Sequence, residues 1–205
     1  MKRHFLSSPF VKYTALSLVV LGTLVAVWLG SQSLLRPSPH FDITIARHDF
    51  GKKESSDTLV RLSSFKKPKI VILWTLGCVP CLKFLMICNK MAMDFKEKGI
   101  DIIPILISHN VSSPQVLWGH AVVYLARLIQ KNTYTQPTWQ VLFPHLTPYY
   151  DMEGNVFSAL KVTGTPTILF LDKKNRILEK REGFQNWQVP SEKEALYTLL
   201  DRMKQ

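Results

Sequence analysis

The sequence is short of cysteine, of acid and of metal-ligand spacing, and each shortage removes a class of function. Only Cys78, Cys81 and Cys88 occur in 205 residues, too few for the disulfide framework of a small secreted scaffold. The histidines, at 4, 40, 48, 109, 120 and 145, include no pair spaced for zinc. A single Cys-x-x-Cys supplies only half of the four ligands a zinc site takes. Covalent haem attachment needs Cys-x-x-Cys-His, and Leu82 stands where the histidine would be. Asp and Glu number 15 against 26 Lys and Arg, a net charge of +11. The basic residues come as scattered pairs, Lys52-Lys53, Lys66-Lys67, Lys173-Lys174 and Lys180-Arg181, without the aromatic-interleaved stripe or motif of a nucleic-acid binder. No nucleic-acid partner is expected. The surplus reads as a solvated surface, with attraction to an anionic membrane or an acidic partner as the alternative. Internal repeats and low-complexity tracts are absent.

Charge is missing altogether from Tyr13 to Leu35, where "TALSLVVLGTLVAVWLG" is apolar almost throughout. A helix needs about 20 such residues to cross a bilayer, whereas a secretory signal has an apolar core of about 7–15 followed by a small-residue cleavage site. The end of this run, "VWLGSQSLL", is a poor cleavage site. The expected reading is an uncleaved transmembrane anchor at 13–35 that contacts the lipid bilayer. Lys2, Arg3 and Lys12 precede it and only Arg36 follows closely, which places residues 1–12 in the cytoplasm and the rest outside. No cysteine near its end suggests a lipoprotein. As anchor or cleaved signal the segment exports the remainder of the chain, so the cysteines meet a disulfide-permissive compartment. The expected location is a bacterial inner membrane, single-pass, with the domain in the periplasm. Residues 36–45, opening on the proline-containing "RPSPHFD", form a linker, and 46–205 suffice for one ordinary domain.

Within that domain "KIVILWTL" (69–76) is a β-branched, apolar run that reads as a strand buried on both faces. From Pro80 to Lys98 no proline or glycine follows the first residue. Cys81, Leu85, Cys88, Ala92 and Phe95 share one helical face there, and Gly99 ends the helix. "IDIIPILIS" is a second buried strand. "FDITIARHDF" alternates weakly and reads as a strand, and "GKKESSD" is a polar loop. A helix is expected over 115–131, followed by a proline-containing loop and a short helix around 155–161. "TPTILFLDKKNRILEKREGF" reads as a hairpin turning at "DKKNR". The last helix has Ser191 and Glu194 spaced as a capping box after Pro190. Strand, helix, strand, helix, hairpin, helix is a mixed α/β architecture on one central sheet.

The pair Cys78 and Cys81 lies between the first buried strand and the helix. A bridge between them closes so short a loop that it restrains the unfolded chain little, so a staple is poorly placed there. As a redox pair it is well placed. Cys78 falls at the helix N-terminus, whose partly positive end favours a thiolate. Cys81 follows about one turn later, and Pro80 suits a first turn where its missing N–H costs nothing. Cys88 reads as a buried, inert thiol, a third redox cysteine or an intermolecular bridge being the alternatives. Met86, Met91 and Met93 offer soft copper donors but do not share one helical face, which favours core filling. Trp118 and His120 read equally as surface recognition or packing.

"VILWTLGCVPC" resembles the thioredoxin-fold signature, an apolar strand ending in Trp-x-x-x-Cys-x-Pro-Cys, and the distant "VTGTPTILFLD" is similar to that family's Gly-Thr-Pro-Thr segment. "LSSF" (62–65), "MEGNVFSALKVTGTPT" and "DKKNRI" resemble the membrane-anchored TlpA/ResA branch. The resemblance covers about residues 58–205. It implies a thioredoxin fold behind one N-terminal transmembrane helix, with Pro166 as a cis-proline facing the pair and Thr165 offering backbone hydrogen bonds to substrate. Trp74 would be support beneath the site, with Pro80 and Gly77 shaping it. It further implies exported thiol or disulfide partner proteins, apocytochrome c or a metallochaperone among them, and a membrane electron donor. Three departures stand out. Gly77 replaces the tryptophan usual before the first cysteine, Phe84 a glutamate common in this branch, and Ile72 a buried aspartate of thioredoxin. The stretch between the pair and Pro166 is also long, with 112–131 the candidate insertion.

The expected activity is thiol–disulfide exchange, most readily reduction of disulfides in exported partners. Cys78 is the nucleophile and Cys81 the resolving thiol, with no cofactor or metal beyond their own disulfide. The alternatives are a dithiol oxidase or isomerase, or a copper chaperone or assembly module on the same fold.

Overall fold

The computed structural model describes residues 40–47, 57–107, 139–151 and 154–205, with the single positions Thr23, Val123 and Arg127. The chain divides into two compact units, Met1–Ser38 and Pro39–Gln205. The expected anchor at 13–35 lies outside the described residues apart from Thr23. So do the helix expected over 115–131 and the insertion at 112–131, apart from Val123 and Arg127. Among the described residues no helix is long and apolar enough to cross a membrane.

The run "KIVILW" forms β3 (Lys69–Trp74), buried at every position. Both of its faces are covered, as its lack of alternation requires. Parallel to it lies β4 (Asp101–Leu106), with Trp74 opposite Leu106. On its other side is antiparallel β6 (Thr167–Leu171), which turns through 172–176 into β7 (Ile177–Glu182). Beyond β4 come the two-residue β5 (Tyr149–Tyr150) and the hairpin of β1 (Thr44–Arg47) and β2 (Thr58–Arg61), giving the order β2-β1-β5-β4-β3-β6-β7. A single 3₁₀ turn, Leu62–Ser64, leads toward β3.

Four helices flank this sheet among the described residues. They are α1 (Val79–Glu97), α2 (Trp139–Leu142), α3 (Asn155–Ala159) and α4 (Pro190–Met203). One core cluster joins α1, α2 and α4 to the sheet through Trp74, Cys81, Phe84, Trp139, Trp187 and Leu200. On the other face Phe41, Leu62, Val71, Ile105, Tyr149 and Val156 pack as a second cluster with α3. Cys81, Leu85, Cys88, Ala92 and Phe95 are all buried, the face their spacing predicts.

One expected device is absent. α4 begins at Pro190 with Val189 as its N-cap, and no side chain caps it. Pro190 takes the first helical position, where its fixed φ is already helical, so Ser191 falls inside the first turn rather than before it. Glu192 instead accepts the Asn186 N–H at 2.7 Å.

The hairpin turn is built on Asp172, which is 2% exposed. Its Oδ1 accepts the N–H groups of Lys174 and Arg176, each at 2.9 Å, and its Oδ2 accepts Arg176 Nε at 2.6 Å. Asn175 takes the left-handed conformation, φ 60°, one of the few non-glycine residues that does so readily. Its side-chain oxygen accepts Lys69 Nζ at the start of β3. Burial holds the Lys69 ammonium below its ordinary pKa, against the opposing charges of Asp101, Asp172 and Asp42.

Candidate functional site

β3 delivers the chain to the site and stops it abruptly. After Trp74 the backbone turns through Thr75, Leu76 and Gly77, with the Cys78 N–H donating to the Thr75 carbonyl at 3.4 Å. Gly77 has φ +83°, a conformation that costs any L side chain strain. The glycine therefore serves the turn, although beyond its own chain neighbours no atom lies within 4 Å of where a Cβ would stand. Cys78 is the N-cap of α1, and its carbonyl accepts the Leu82 N–H at 3.2 Å. Pro80 lies in the first turn, as its chemistry favours.

Cys78 and Cys81 are joined as a disulfide, with Cα atoms 5.2 Å apart. The two sulfurs have different surroundings. Cys81 is fully buried in the larger core cluster, while Cys78 is half-buried and packs against the edge of that cluster. The Cys81 N–H points at Cys78 Sγ, 3.2 Å away. A free N–H of the first helical turn and the helix dipole both favour negative charge on that sulfur.

Opposite the pair is the loop before β6. The Thr165-Pro166 peptide bond is cis, and Cys78 Sγ lies 3.5 Å from the Thr165 carbonyl oxygen. Thr75 and Thr165 are linked through their hydroxyls at 3.1 Å, which ties the turn after β3 to this loop. Thr167 Oγ1 donates to the Gly164 carbonyl at 2.6 Å, and the Gly183 N–H donates to the Pro166 carbonyl at 2.8 Å. The structure thus brings together Cys78, Cys81, Thr165 and Pro166 from the two motifs far apart in sequence. Pro80 and Gly77 are exposed beside them, and Trp74 lies beneath at 1% exposure.

Three neighbours escape sequence reasoning. Trp139 packs on Trp74 with ring centroids 5.9 Å apart and donates its Nε1–H to the Leu146 carbonyl at 2.6 Å. Its four-residue helix is too short for periodicity to show. Phe184 follows Gly183, whose N–H holds the Pro166 carbonyl, and is 43% exposed; Val79, between the two cysteines, is 42% exposed. Thr75 gave no signal, because its partner Thr165 is distant in sequence.

Phe84, three residues after Cys81, is fully buried and packs edge-on to Trp187 at 4.6 Å. Ile72 is likewise buried, so neither position brings a carboxyl toward Cys81. Cys88 is sealed in the same core, where burial pushes its thiol pKa well up. Met86 and Met93 are exposed, so these soft donors do not converge with Cys88. Among the described residues no group of three or more His, Cys, Asp or Glu side chains is arranged to hold a metal ion.

No protein-family model matches the chain, and neither does any curated protein. Solved structures do match. A protein assigned as the thiol:disulfide interchange protein DsbE from Chlorobium tepidum aligns with a TM-score of 0.56 and 22% identity, over 82% of this chain and 98% of that one. The exposed lipoprotein thioredoxin Etrx1 of Streptococcus pneumoniae aligns at 0.52 and 17%, over 78% and 99%. The mitochondrial 2-cys peroxiredoxin of Plasmodium falciparum aligns at 0.52 and 15%, over 82% and 94%. At these identities the likeness shows a shared thioredoxin fold. A peroxiredoxin among the matches leaves the reaction to be argued from the site itself.

Proposed function

We propose that this chain is an extracytoplasmic thiol–disulfide oxidoreductase that reduces disulfides in exported partner proteins. The observation that carries the reading is the asymmetry of the pair: a reachable Cys78 sulfur at a helix N-cap, bonded to a buried Cys81, against a cis-proline loop.

In the reduced protein the Cys81 N–H and the helix end favour a Cys78 thiolate. That thiolate attacks one sulfur of a partner disulfide. A Cys78–partner bond forms, the partner S–S bond breaks, and the leaving thiolate takes a proton from solvent. Cys81 gives up its proton to solvent, attacks Cys78 Sγ and expels the second partner thiolate, which is protonated in turn. The partner gains two electrons and two protons, and the domain is left with the Cys78–Cys81 disulfide seen in the structure. Thr165 and Pro166 shape the groove where partner backbone lies, with Val79 and Phe184 as its apolar flanks. Trp74, held by Trp139, supports the turn from below.

A membrane dithiol donor returns the two electrons by the same exchange in reverse. The anchor at 13–35 keeps the domain beside such a donor, and the partner proteins expected are exported thiol proteins such as apocytochrome c. Reduction of insulin disulfides by the full chain in the presence of a thiol donor tests the reading. Turnover that disappears in Cys78→Ser supports it, and equal turnover in that variant overturns it.

A further inference from the structure

The end of the sheet away from the disulfide carries charge that the redox reading does not use. The starts of β3 and β4 and the β6–β7 turn meet there. Lys66 and Lys67 precede β3, Lys173 and Lys174 lie on the turn, and all four are exposed. Among the described residues none of these four ammonium groups is in an ion pair; Lys66 Nζ donates only to the Ser63 carbonyl at 3.3 Å. Three nearby acids are engaged elsewhere, and the exposed Glu97 stands at the C-terminal end of α1 on this side. Asp172 holds Arg176 at 2.6 Å and Asp42 holds Arg61 at 3.1 Å, while Asp101 acts on the buried Lys69.

The chain enters the domain at this same end. His40 bridges to Arg176, and the Phe41 N–H donates to the Asn175 carbonyl at 2.9 Å. Between Leu35, where the uncharged run stops, and His40 stand only Arg36, Pro37, Ser38 and Pro39, a reach of at most about 18 Å when fully extended. The apolar run is therefore tethered within that distance of His40, beside the β6–β7 turn.

We infer that this lysine-rich end docks on anionic lipid headgroups, leaving the disulfide end turned toward the aqueous side. The inference rests on the anchor reading of residues 13–35. Tethering supplies proximity without orientation, and the unpaired lysines supply the orientation, because their attraction acts only within about one Debye length of the surface. The six residues of β3 set the disulfide end about 20 Å farther out. Val79 and Phe184 then face partner proteins instead of sinking into headgroups.

The test reconstitutes the full chain into nanodiscs of phosphatidylcholine alone or mixed with phosphatidylglycerol. Lysine acetylation rates are then read by mass spectrometry. Lys66, Lys67, Lys173 and Lys174 are expected to react several-fold more slowly in the anionic discs, while the exposed Lys83, in the first turns of α1 beside the disulfide, keeps its rate. The slowing is expected to vanish at about 1 M salt, where the screening length falls to about 3 Å. Lys66→Gln with Lys67→Gln is expected to weaken the protection of Lys173 and Lys174 without changing insulin reduction. Equal rates in both discs, or equal slowing at Lys83, overturn the orientation. Protection that appears only in native membranes would assign this end to an acidic protein instead. A separate flotation after an alkaline carbonate wash examines the anchor. Release of the chain there overturns the anchor and this orientation with it, while leaving the redox assay standing.

Discussion

Cys78 and Cys81 differ in exposure, and that difference orders them in any exchange. Only the half-buried Cys78 sulfur is open to a partner, so Cys81→Ser is expected to accumulate a mixed disulfide with substrate. The adduct should appear on a non-reducing gel and vanish with dithiothreitol; its absence would remove the proposed order of attack. Gly77 is a second residue-scale case. Its φ of +83° makes Gly77→Ala destabilising by about 1–2 kcal/mol despite the open space around it, measurable as a lowered urea midpoint with unchanged slope. Cys88, buried with its thiol pKa raised by burial, is expected to resist maleimide in the native protein and to react once urea unfolds it. These features were unevenly legible. Cys-x-Pro-Cys announced the pair and the resemblance pointed to Pro166. The positive φ of Gly77 and the Thr75–Thr165 contact follow from backbone turns and long-range approach, which composition and spacing do not encode.

At the scale of elements, legibility tracked burial. β3, α1 and β4 were readable because long apolar runs and helical periodicity leave few alternatives. β5 has two residues and α2 four, below the length at which any period can be recognised, and β2 is a mostly exposed "TLVR". The start of α4 was misread because a capping-box pattern and an N1 proline compete, and the proline decides the boundary. The interface of α1 with the segment before α4 rests on Phe84 against Trp187, both fully buried. Phe84→Ala is expected to cost about 3–5 kcal/mol in urea unfolding. The β6–β7 turn adds a pH-dependent prediction. Burial alone raises the Asp172 pKa, but the hydrogen bonds and charge of Arg176, with the Lys174 N–H, outweigh it and hold the carboxyl below its usual 3.8. A folded-state value below the unfolded one gives stability that is present above about pH 4 and lost as pH falls through the folded value. Asp172→Asn should therefore cost about 1–3 kcal/mol at neutral pH and progressively less below about pH 4. An equal loss at pH 7 and pH 3 would contradict the electrostatic origin.

For the whole molecule, the thioredoxin fold is secured by a seven-stranded sheet and its solved counterparts, while the direction of electron flow is a property of one bond. The same geometry serves a reductase or an oxidase, and only the relative stability of dithiol and disulfide separates them. Ile72 and Phe84 are both buried and neither brings a carboxyl toward Cys81, so no acid or base at those positions assists its deprotonation. The measurement that bears most directly on the proposed function is the redox equilibrium of the Cys78–Cys81 pair. It is made on the full chain carrying Cys88→Ala, titrated against dithiothreitol and glutathione. A midpoint near that of thioredoxin, about −270 mV, is the outcome expected of a reductase. A midpoint near about −120 mV, where the reduced form is the stabilised one, would contradict it and make the protein a donor of disulfides.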